Sequence, residues 1–281
     1  MKLISIFFIS FFIFISASMA QSYRLDQENL PVMEAGLGIG WANFPYYPGA
    51  SKRRNFVLPY PAFIFRGDKV RADEDGGMRG RFFSNERFEI NTSVGFSLPV
   101  NSDDVPSRYG MDNLDPLFEL GPGVIYHFIP AKKGRRYTLS LNLGTRIAIS
   151  SDFKHTKHKG YVLHPLLFGW YKIHKNLTVF NGLSATWATK DYHNHFYRVK
   201  GRESGALRPS YEAKGGNMSI TLSTFFIFNF LKKWSVFGGA VMTSYDHASN
   251  KDSPLHIKDH TVSGITGLTF WFYQSDKKQK I

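Results

Sequence analysis

Residues 137–149 read YTLSLNLGTRIAI, and this stretch decides the fold class. One face of the alternation is apolar and consists of Tyr137, Leu139, Leu141, Leu143, Ile147 and Ile149. The other face is small or polar and consists of Thr138, Ser140, Asn142, Gly144, Arg146 and Ser150. A period of two is typical of a β-strand, because successive side chains of a strand point to opposite sides. The stretch therefore predicts one long strand, whereas strands of soluble proteins usually have about five or six residues.

The same alternation recurs along the chain. It is strict in residues 86–98 (ERFEINTSVGFSL) and looser in residues 177–189, 217–230 and 261–273. Few stretches have a helical period, so the chain is predicted to be all-β. Strands of this length match what a tilted transmembrane strand needs, which is about 9–11 residues.

Two architectures use long alternating strands: a soluble sandwich or lipocalin-like barrel, and an outer-membrane barrel. The apolar face points inward in the first and contacts lipid in the second, where aromatic girdles mark both interfaces. Small polar residues and glycines dominate the second face here, as expected of a lumen. Aromatic residues also lie near the predicted strand ends: Tyr126, Phe128, Tyr137, Trp170, Tyr171, Trp187, Trp234, Trp271, Phe272 and Tyr273. Both features favour the membrane barrel.

The order of the connections favours the same architecture. Short turns are predicted at residues 66–69, 84–86, 131–136, 174–176 and 231–233. Longer connections alternate with them, at residues 42–55, 99–116, 151–160, 190–215 and 246–260. The alternation requires residues 71–83 to form two brief strands that turn at Asp75-Gly76-Gly77. The prediction is an antiparallel barrel of about twelve strands with short periplasmic turns, longer outer loops and both termini on the periplasmic side.

Composition excludes several other classes. The 281 residues include no cysteine, which rules out disulfide scaffolds, thiolate metal sites and cysteine nucleophiles. The mean hydropathy of −0.24 leaves no room for the repeated apolar segments of a helical membrane protein. Yet 16% of the residues are aromatic, a combination that suits a barrel with one lipid face and one wet face.

The N-terminus has the pattern of a secretory signal. Lys2 precedes the apolar segment of residues 3–15, and Ser18 and Ala20 place small residues before a cut at Gln21. Residues 1–20 are therefore expected to be removed on export. Residues 21–281 are expected to form a single outer-membrane barrel domain, with a short polar tail at residues 274–281.

Residues 65–81, FRGDKVRADEDGGMRGR, resemble the hallmark of the MipA/OmpV family of outer-membrane proteins. Further similar segments follow in family order: residues 36–38, 47–49, 95–100, 102–104, 111–122, 191–194 and 253–255. The resemblance implies an outer-membrane barrel related to the MltA-interacting protein, regarded as a scaffold between a lytic murein transglycosylase and a bifunctional penicillin-binding protein. One departure is the tail after Tyr273, because such barrels usually end on the aromatic residue of the last strand.

The family motifs contain charged residues, glycines and one proline to which the resemblance assigns no role. They are Arg66, Gly67, Asp68, Asp73, Asp75, Gly76, Gly77, Arg79, Gly80, Asp115 and Pro116. Their carboxylates and arginines would suit a calcium or lipopolysaccharide-phosphate site. The favoured interpretation is a lumenal network of opposite charges, because Arg or Lys facing lipid at the bilayer midplane costs about 2–4 kcal/mol.

Catalytic, metal and cofactor sites are not predicted. His155 with His158, and His193 with His195, have no evident third ligand. The chain lacks a G-x-S-x-G motif, and no serine has a base suggested by its spacing. We therefore expect no enzyme activity and no bound cofactor.

The formal net charge of +13 includes a set of basic residues in the predicted periplasmic turns. These are Lys132, Lys133, Arg135 and Arg136, with Lys172, Lys175, Lys232 and Lys233. They are either a docking face for an acidic periplasmic partner or simply charged turns that keep the barrel end wet. A nucleic-acid partner is not expected for an exported chain. The alternatives to a scaffold are a narrow pore for small solutes, and an adhesin that uses residues 99–116 or 190–215.

Overall fold

The computed structural model describes residues 31–73, 77–132, 134–152 and 154–277, and these residues form twelve strands. The strands are β1 Met33–Pro45, β2 Arg53–Arg66, β3 Val70–Asp73, β4 Gly77–Ser84, β5 Phe88–Ser97, β6 Leu117–Ile129, β7 Leu139–Ser151, β8 Thr156–His174, β9 Leu177–Ala188, β10 Gly216–Leu231, β11 Trp234–Ser244 and β12 His260–Gln274. Each strand pairs antiparallel with its neighbours in the chain, and β1 pairs with β12, so the sheet closes into a barrel. The all-β prediction is confirmed.

The orientation of the strands agrees with the alternation in the sequence. On β7, Leu143 and Ile147 are 45% exposed, whereas Ser140 and Ser150 are buried. On β5, Ile90 points outward and Glu89 and its inward neighbours are buried. The apolar face therefore contacts lipid, as the outer-membrane interpretation requires.

The outer connections β5–β6, β9–β10 and β11–β12 are long as predicted, but the periplasmic β6–β7 connection, residues 130–138, is longer than the outer β1–β2 connection, residues 46–52, and the β7–β8 connection is short. The strand β7 ends at Ser151 and β8 begins at Thr156, so the long loop predicted at residues 151–160 is wrong. The turn is closed by the Asp152 carboxylate, which accepts the N–H groups of Lys154 and His155 at 2.8 and 2.6 Å. The strands β7 and β8 are paired up to the base of this turn, where Ser151 lies opposite Thr156. A polar hairpin therefore continues past the lipid-facing part of the barrel.

Most of the predicted girdle aromatics lie on the outside of the barrel. Tyr126, Phe128, Tyr137, Tyr171, Trp187, Phe272 and Tyr273 are all at least 39% exposed. The sequence predicts Trp170 and Trp271 there too, but both are buried in the lumen. The Trp271 indole N–H donates to Ser235 Oγ at 2.9 Å, which satisfies its polar atom away from lipid.

The outer loops fold over the barrel mouth. Residues 190–215, predicted as a loop, contain a helix, α1 (Lys190–Tyr197), and a short 3₁₀ turn at Gly201–Glu203. Two further 3₁₀ turns, Ser102–Asp104 and Pro106–Arg108, lie in the connection between β5 and β6. In the described part of the chain, no helix is long and apolar enough to cross a bilayer.

Side chains from four loops meet above the lumen in what we call the outer cluster. Its loop members are Tyr47, Ala50, Val100, Val105, Met111, Leu114, Tyr192, Phe196, Tyr197, Val199, Ala213 and Leu255. The cluster rests on buried residues near the outer ends of strands, among them Leu117 and Val162. The mouth of the barrel is therefore closed by an apolar core.

A second apolar layer, the periplasmic cluster, fills the lumen nearer the termini. It consists of Tyr60, Ala62, Ile64, Trp170, Phe180, Ile227, Phe237 and Trp271. Tyr60 and Phe237 meet edge to face, with ring centroids 6.1 Å apart. The sequence predicts a polar lumen, and that holds for β5–β7 but not for the strands that supply these rings.

Candidate functional site: the lumenal charges and the periplasmic turns

The hairpin of β3 and β4 carries most of the family-motif charges into the lumen. Arg79 is 4% exposed, and its guanidinium lies 2.7 Å from Asp73 Oδ1 and 2.6 Å from Glu89 Oε1. Arg71 also pairs with Asp73, at 3.2 Å, and Arg81 pairs with Glu89, at 2.7 Å. Each buried carboxylate thus has two arginine partners, which is the arrangement that makes buried charge tolerable.

Arg66 forms a second buried pair at the periplasmic end of β2. Its Nη1 donates to Glu34 Oε1 at 2.8 Å and to the carbonyl oxygen of Pro31 at 2.9 Å. Both side chains are almost completely buried. The pair joins the first strand of the barrel to the second next to the N-terminal end of β1.

The motif glycines and Asp68 shape the turns around these charges. Gly77 has a φ of +71°, a conformation that favours glycine, and its carbonyl oxygen accepts from Arg79. The N–H of Gly80 donates to Thr92 Oγ1 at 2.9 Å, and the Gly67 carbonyl accepts from Arg71 Nε at 3.3 Å. Asp68 is exposed in the turn after β2. Asp75 and Gly76 lie outside the described residues.

The remaining motif pair, Asp115 and Pro116, lies at the outer end of the barrel, next to α1. Pro116 is buried, and its carbonyl oxygen accepts the N–H of Ser151 at 3.3 Å. The imidazole of His195 forms a hydrogen bond with the backbone of Asp115. The motif residues therefore lie in two places. One is the β3–β4 hairpin with the turn that precedes it, and the other is the outer end of the barrel, where α1 packs.

A polar contact that the sequence did not predict fixes α1 to the barrel wall. Tyr192 Oη donates to Glu119 Oε1 at 2.8 Å, and Glu119 Oε2 lies 3.1 Å from Arg146 Nη1. Arg146 also donates to Ser93 Oγ at 2.8 Å. A Cβ atom at Gly95 would collide with Glu119 Oε2, so glycine leaves room for the pair. The signal in the sequence was the presence of Gly95, Glu119 and Arg146 on polar faces of neighbouring strands.

The histidines of α1 are buried and neutral. His195 is 8% exposed, and burial, with the positive charges of Lys159 and Arg108 nearby, lowers its pKa to about 3. Burial also lowers the pKa of His193, whose ring lies 3.2 Å from the carbonyl oxygen of Gly216. Both histidines are therefore uncharged while α1 is docked, and protonating them would oppose docking.

We expect α1 to loosen as the medium is acidified. His195 binds its proton at a pKa of about 3 when docked but near pH 6.5 when exposed, so docking loses stability as the pH falls between these values. The loss at pH 4.5 should be about 1–3 kcal/mol. Hydrogen exchange of the α1 amides, corrected for intrinsic rates, should be faster at pH 4.5 than at pH 7. The His195→Gln variant should show a smaller difference, and equal protection at both pH values in the unaltered chain would contradict the assignment.

The other two histidines, His155 and His158, contact different neighbours. His155 is exposed in the β7–β8 turn beside Asp152, and the His158 ring packs against Tyr161. Within the described residues, no group of three or more His, Cys, Asp or Glu side chains is placed to hold a metal ion.

The periplasmic turns present the basic residues to solvent. Lys132 and Arg136 are exposed, Arg135 is half-buried, and Lys133 lies outside the described residues. Lys132 forms an exposed ion pair with Glu86 of the adjacent turn. Other exposed basic residues at this end are Lys69, Arg87, Lys175, Lys232, Lys233 and Lys277, whereas the exposed acidic residues are Asp68, Glu86 and Asp276. The sequence predicts Lys172 in this group, but it is buried, because its position on β8 points into the lumen.

The C-terminal segment lies at the same end. The N–H of Ser275 donates to the carbonyl oxygen of Met33, and the N–H of Val32 donates to that of Lys277. The described start of the polar tail therefore continues the pairing of β12 with β1.

Strand number, outward apolar faces and connection order define the class: an antiparallel β-barrel of the bacterial outer membrane, here with a filled lumen. The family model described as "MltA-interacting protein MipA" matches residues 37–272, and the chain belongs to this family.

Two proteins similar to this chain are named as outer-membrane proteins. Outer membrane protein OmpV of Vibrio cholerae serotype O1 is 26% identical over 218 residues, which cover 75% of this chain and 76% of the relative. Outer membrane protein Omp26La of Vibrio anguillarum is 26% identical over 185 residues, covering 62% and 63%.

Among solved structures, the NanC porin aligns with a TM-score of 0.40 and 6% identity, covering 83% of this chain and 98% of the porin. The CymD monoaromatic hydrocarbon channel aligns with a TM-score of 0.37 and 11% identity, covering 95% and 94%.

Proposed function

We infer that the protein is a non-catalytic scaffold that holds periplasmic murein enzymes at the outer membrane through its basic turns. The partners are a lytic murein transglycosylase, which the family description names through MltA, and a bifunctional penicillin-binding protein. The observation that carries the inference is the unequal charge of the two barrel ends. The signal segment of residues 1–20, which lies outside the described residues, would deliver the chain to the envelope.

Charges at the outer end are largely matched by neighbours. Asp112 lies 2.6 Å from Lys200 and 2.5 Å from Arg202. Glu212 lies 2.6 Å from Arg198, and Lys251 is within 4 Å of both Asp246 and Asp259. This end has little surplus charge to offer a partner.

Basic residues at the periplasmic end outnumber the acidic ones among the described residues. Lys132 has a partner in Glu86, but Lys175, Lys232 and Lys233 lie on turns that contain no acidic residue. A one-signed field at one end accelerates the approach of an acidic partner and orients it. The four basic residues of the β6–β7 turn, Lys132, Lys133, Arg135 and Arg136, are the proposed centre of the docking face.

The filled lumen supports a scaffold over a pore. The outer and periplasmic clusters close the barrel at two levels, so a solute would have to displace both. The outer loops likewise give little support to an adhesin, because their residues Tyr197, Val199 and Leu255 are buried in the outer cluster. A scaffold needs neither an open lumen nor free outer loops.

The test is binding of the purified transglycosylase to the barrel in detergent, and separately of the penicillin-binding protein. Changing Lys132, Lys133, Arg135 and Arg136 to Gln should weaken binding by on the order of tenfold or more, since exposed charge pairs contribute about 0.2–1 kcal/mol each. The matched control changes four exposed lysines of the outer end to Gln: Lys154, Lys157, Lys214 and Lys258. Equal weakening by both sets, or no binding of either enzyme at low salt, would overturn the proposal.

A further inference from the structure

The barrel wall has a seam between β2 and β5. The strand β2 runs from Arg53 to Arg66, but β3 pairs with only its last two residues, Phe65 and Arg66. On the other side, β4 pairs with β5 only as far as Asn91. Among the described residues, the remaining neighbouring strands, apart from β3 and β4, are matched over ten or more positions. Above the short hairpin, the facing edges of residues 53–64 and 92–97 therefore have no strand between them.

Two prolines mark the β2 edge at the seam. Pro59 and Pro61 lie opposite Ile39 and Leu37 of β1, in a register that continues without a bulge. Proline has no N–H to donate, so within a sheet it is favoured where that group would face an open edge or a break in the ladder. Residues two apart direct their backbone groups to the same side of a strand. The sequence thus removes two unpaired donors from the side of β2 that faces the seam.

The seam lies at membrane depth. Val57, Pro59 and Pro61 are exposed on the outward face of β2, and Val94 and Phe96 occupy the outward face of β5. An open strand edge is not tolerated in hydrocarbon unless something covers it. Phe56 and Leu58 of β2 pack against the periplasmic cluster, and so does Leu98, which follows β5. These side chains belong to the two edges and are the nearest candidates to cover the gap.

A cavity of about 310 Å³ lies inside the barrel next to this seam. Phe225, Val241 and Ile265 line it from lumenal positions, and Phe96 and Leu98 line it from the β5 edge. Phe44, also in its wall, stacks on Phe56 with ring centroids 5.5 Å apart. No charged side chain among the described residues lines the cavity. Its size is at the lower end of ligand pockets, and its lining suits an uncharged apolar molecule.

We propose that an alkyl chain enters this cavity sideways from the bilayer, through the seam between β2 and β5, with Phe56, Leu58 and Leu98 as the movable cover. The two apolar clusters block the ends of the lumen, so the bilayer is the direct source of an apolar ligand. The chain belongs either to a phospholipid or to a free molecule such as a long alcohol. The inference does not depend on the binding of murein enzymes.

The test uses the mature chain in phospholipid vesicles with two photoreactive probes, assigned at residue level by mass spectrometry. One probe is decanol carrying a diazirine, and the other is phosphatidylcholine with the diazirine on an acyl chain. We expect adducts on lumenal Phe225, Val241 or Ile265 in addition to outward-facing residues. Lumenal adducts from the phospholipid identify a lipid chain as the ligand, and adducts from decanol alone identify a free molecule. Adducts confined to outward-facing residues with both probes would overturn the proposal.

Three variants test the route. Val241→Trp fills the cavity and should abolish lumenal labelling, and Leu98→Trp blocks the seam and should reduce it several-fold. Leu120→Trp, on the lipid face of β6 where Leu120 is 60% exposed, is the matched control and should change nothing. Outward labelling and heat-modifiable gel mobility report whether each variant folds, and Val241→Phe replaces Val241→Trp if the larger ring prevents folding. Lumenal decanol labelling that Leu98→Trp leaves unchanged would show entry through the barrel ends and refute lateral access.

Discussion

Replacing Arg146 with methionine is expected to lower the free energy of unfolding by about 3–5 kcal/mol, because it strands a buried carboxylate. Glu119 is 6% exposed, and Arg146 is its ion-pair partner at 3.1 Å. Only the Tyr192 hydroxyl would remain from the contacts described for Glu119. The measurement is urea unfolding of the barrel in lipid or detergent, followed by gel mobility and tryptophan fluorescence.

The double variant Arg146→Met/Glu119→Gln should recover most of the lost stability. The neutral amide that replaces the carboxylate removes the stranded charge and can still accept the hydrogen bond from Tyr192. Arg136→Met, in an exposed periplasmic turn, is the matched control and should change stability by less than about 0.5 kcal/mol. A loss in the double variant as large as in Arg146→Met would show that packing, and not the stranded charge, is responsible.

Opening the lumen should require removal of both apolar layers. The unaltered barrel is expected to give no steady conductance in a planar bilayer, since the outer and periplasmic clusters are barriers in series. One variant replaces Lys190–Lys214 by Asn-Gly, which removes α1 and joins β9 to β10 by a tight turn. A second changes Tyr60, Trp170 and Phe237 to Ala in the periplasmic cluster.

Each of these variants alone should remain nearly silent, and the combination should conduct steadily. Heat-modifiable mobility, in which a folded barrel migrates anomalously until boiled, separates a closed barrel from an unfolded one. Steady channels in the unaltered protein would favour the pore over the scaffold. Conductance after loss of the outer loops alone would show that the periplasmic cluster does not seal the lumen.

The strand pattern is predictable where one face of the strand contacts lipid and the other face is polar. On β5 and β7, Ile90 and Ile147 face out while Asn91 and Arg146 face in, so the period of two is clean. On β12 the lumenal positions include Ile265 and Trp271, and both faces are apolar. The alternation is therefore weaker there, which is also why the sequence alone predicts Trp170 and Trp271 in the girdle.

Loop structure was less predictable, because it depends on contacts between segments far apart in sequence. The helix α1 is short, and its mixture of Tyr, His and Asn reads as a polar loop until Glu119 and the outer cluster are present. The glycines predict the β3–β4 hairpin, but Glu89, one of the two partners of Arg79, lies on the next strand. Ion-pair partners across strands follow from register, which the sequence alone does not fix.

The sequence predicts where the basic turns lie, but it does not predict which of their side chains form one exposed surface. Lys132 and Arg136 are exposed as expected, whereas Lys172, two residues after Trp170, shares its inward face. One position along a strand moves a side chain from the lumen to lipid, so charge next to a turn is easily misassigned. The surplus of basic residues at the periplasmic end became clear only when the turns were brought together by the barrel.

The scaffold account requires that one barrel hold two enzymes at once, and co-capture measures this directly. The penicillin-binding protein is immobilised, and the transglycosylase is added with the barrel, without it, or with the variant in which Lys132, Lys133, Arg135 and Arg136 are changed to Gln. We expect retention of the transglycosylase with the unaltered barrel, and little without it or with the variant. Competition between the two enzymes for the barrel, or retention independent of the barrel, would contradict the account.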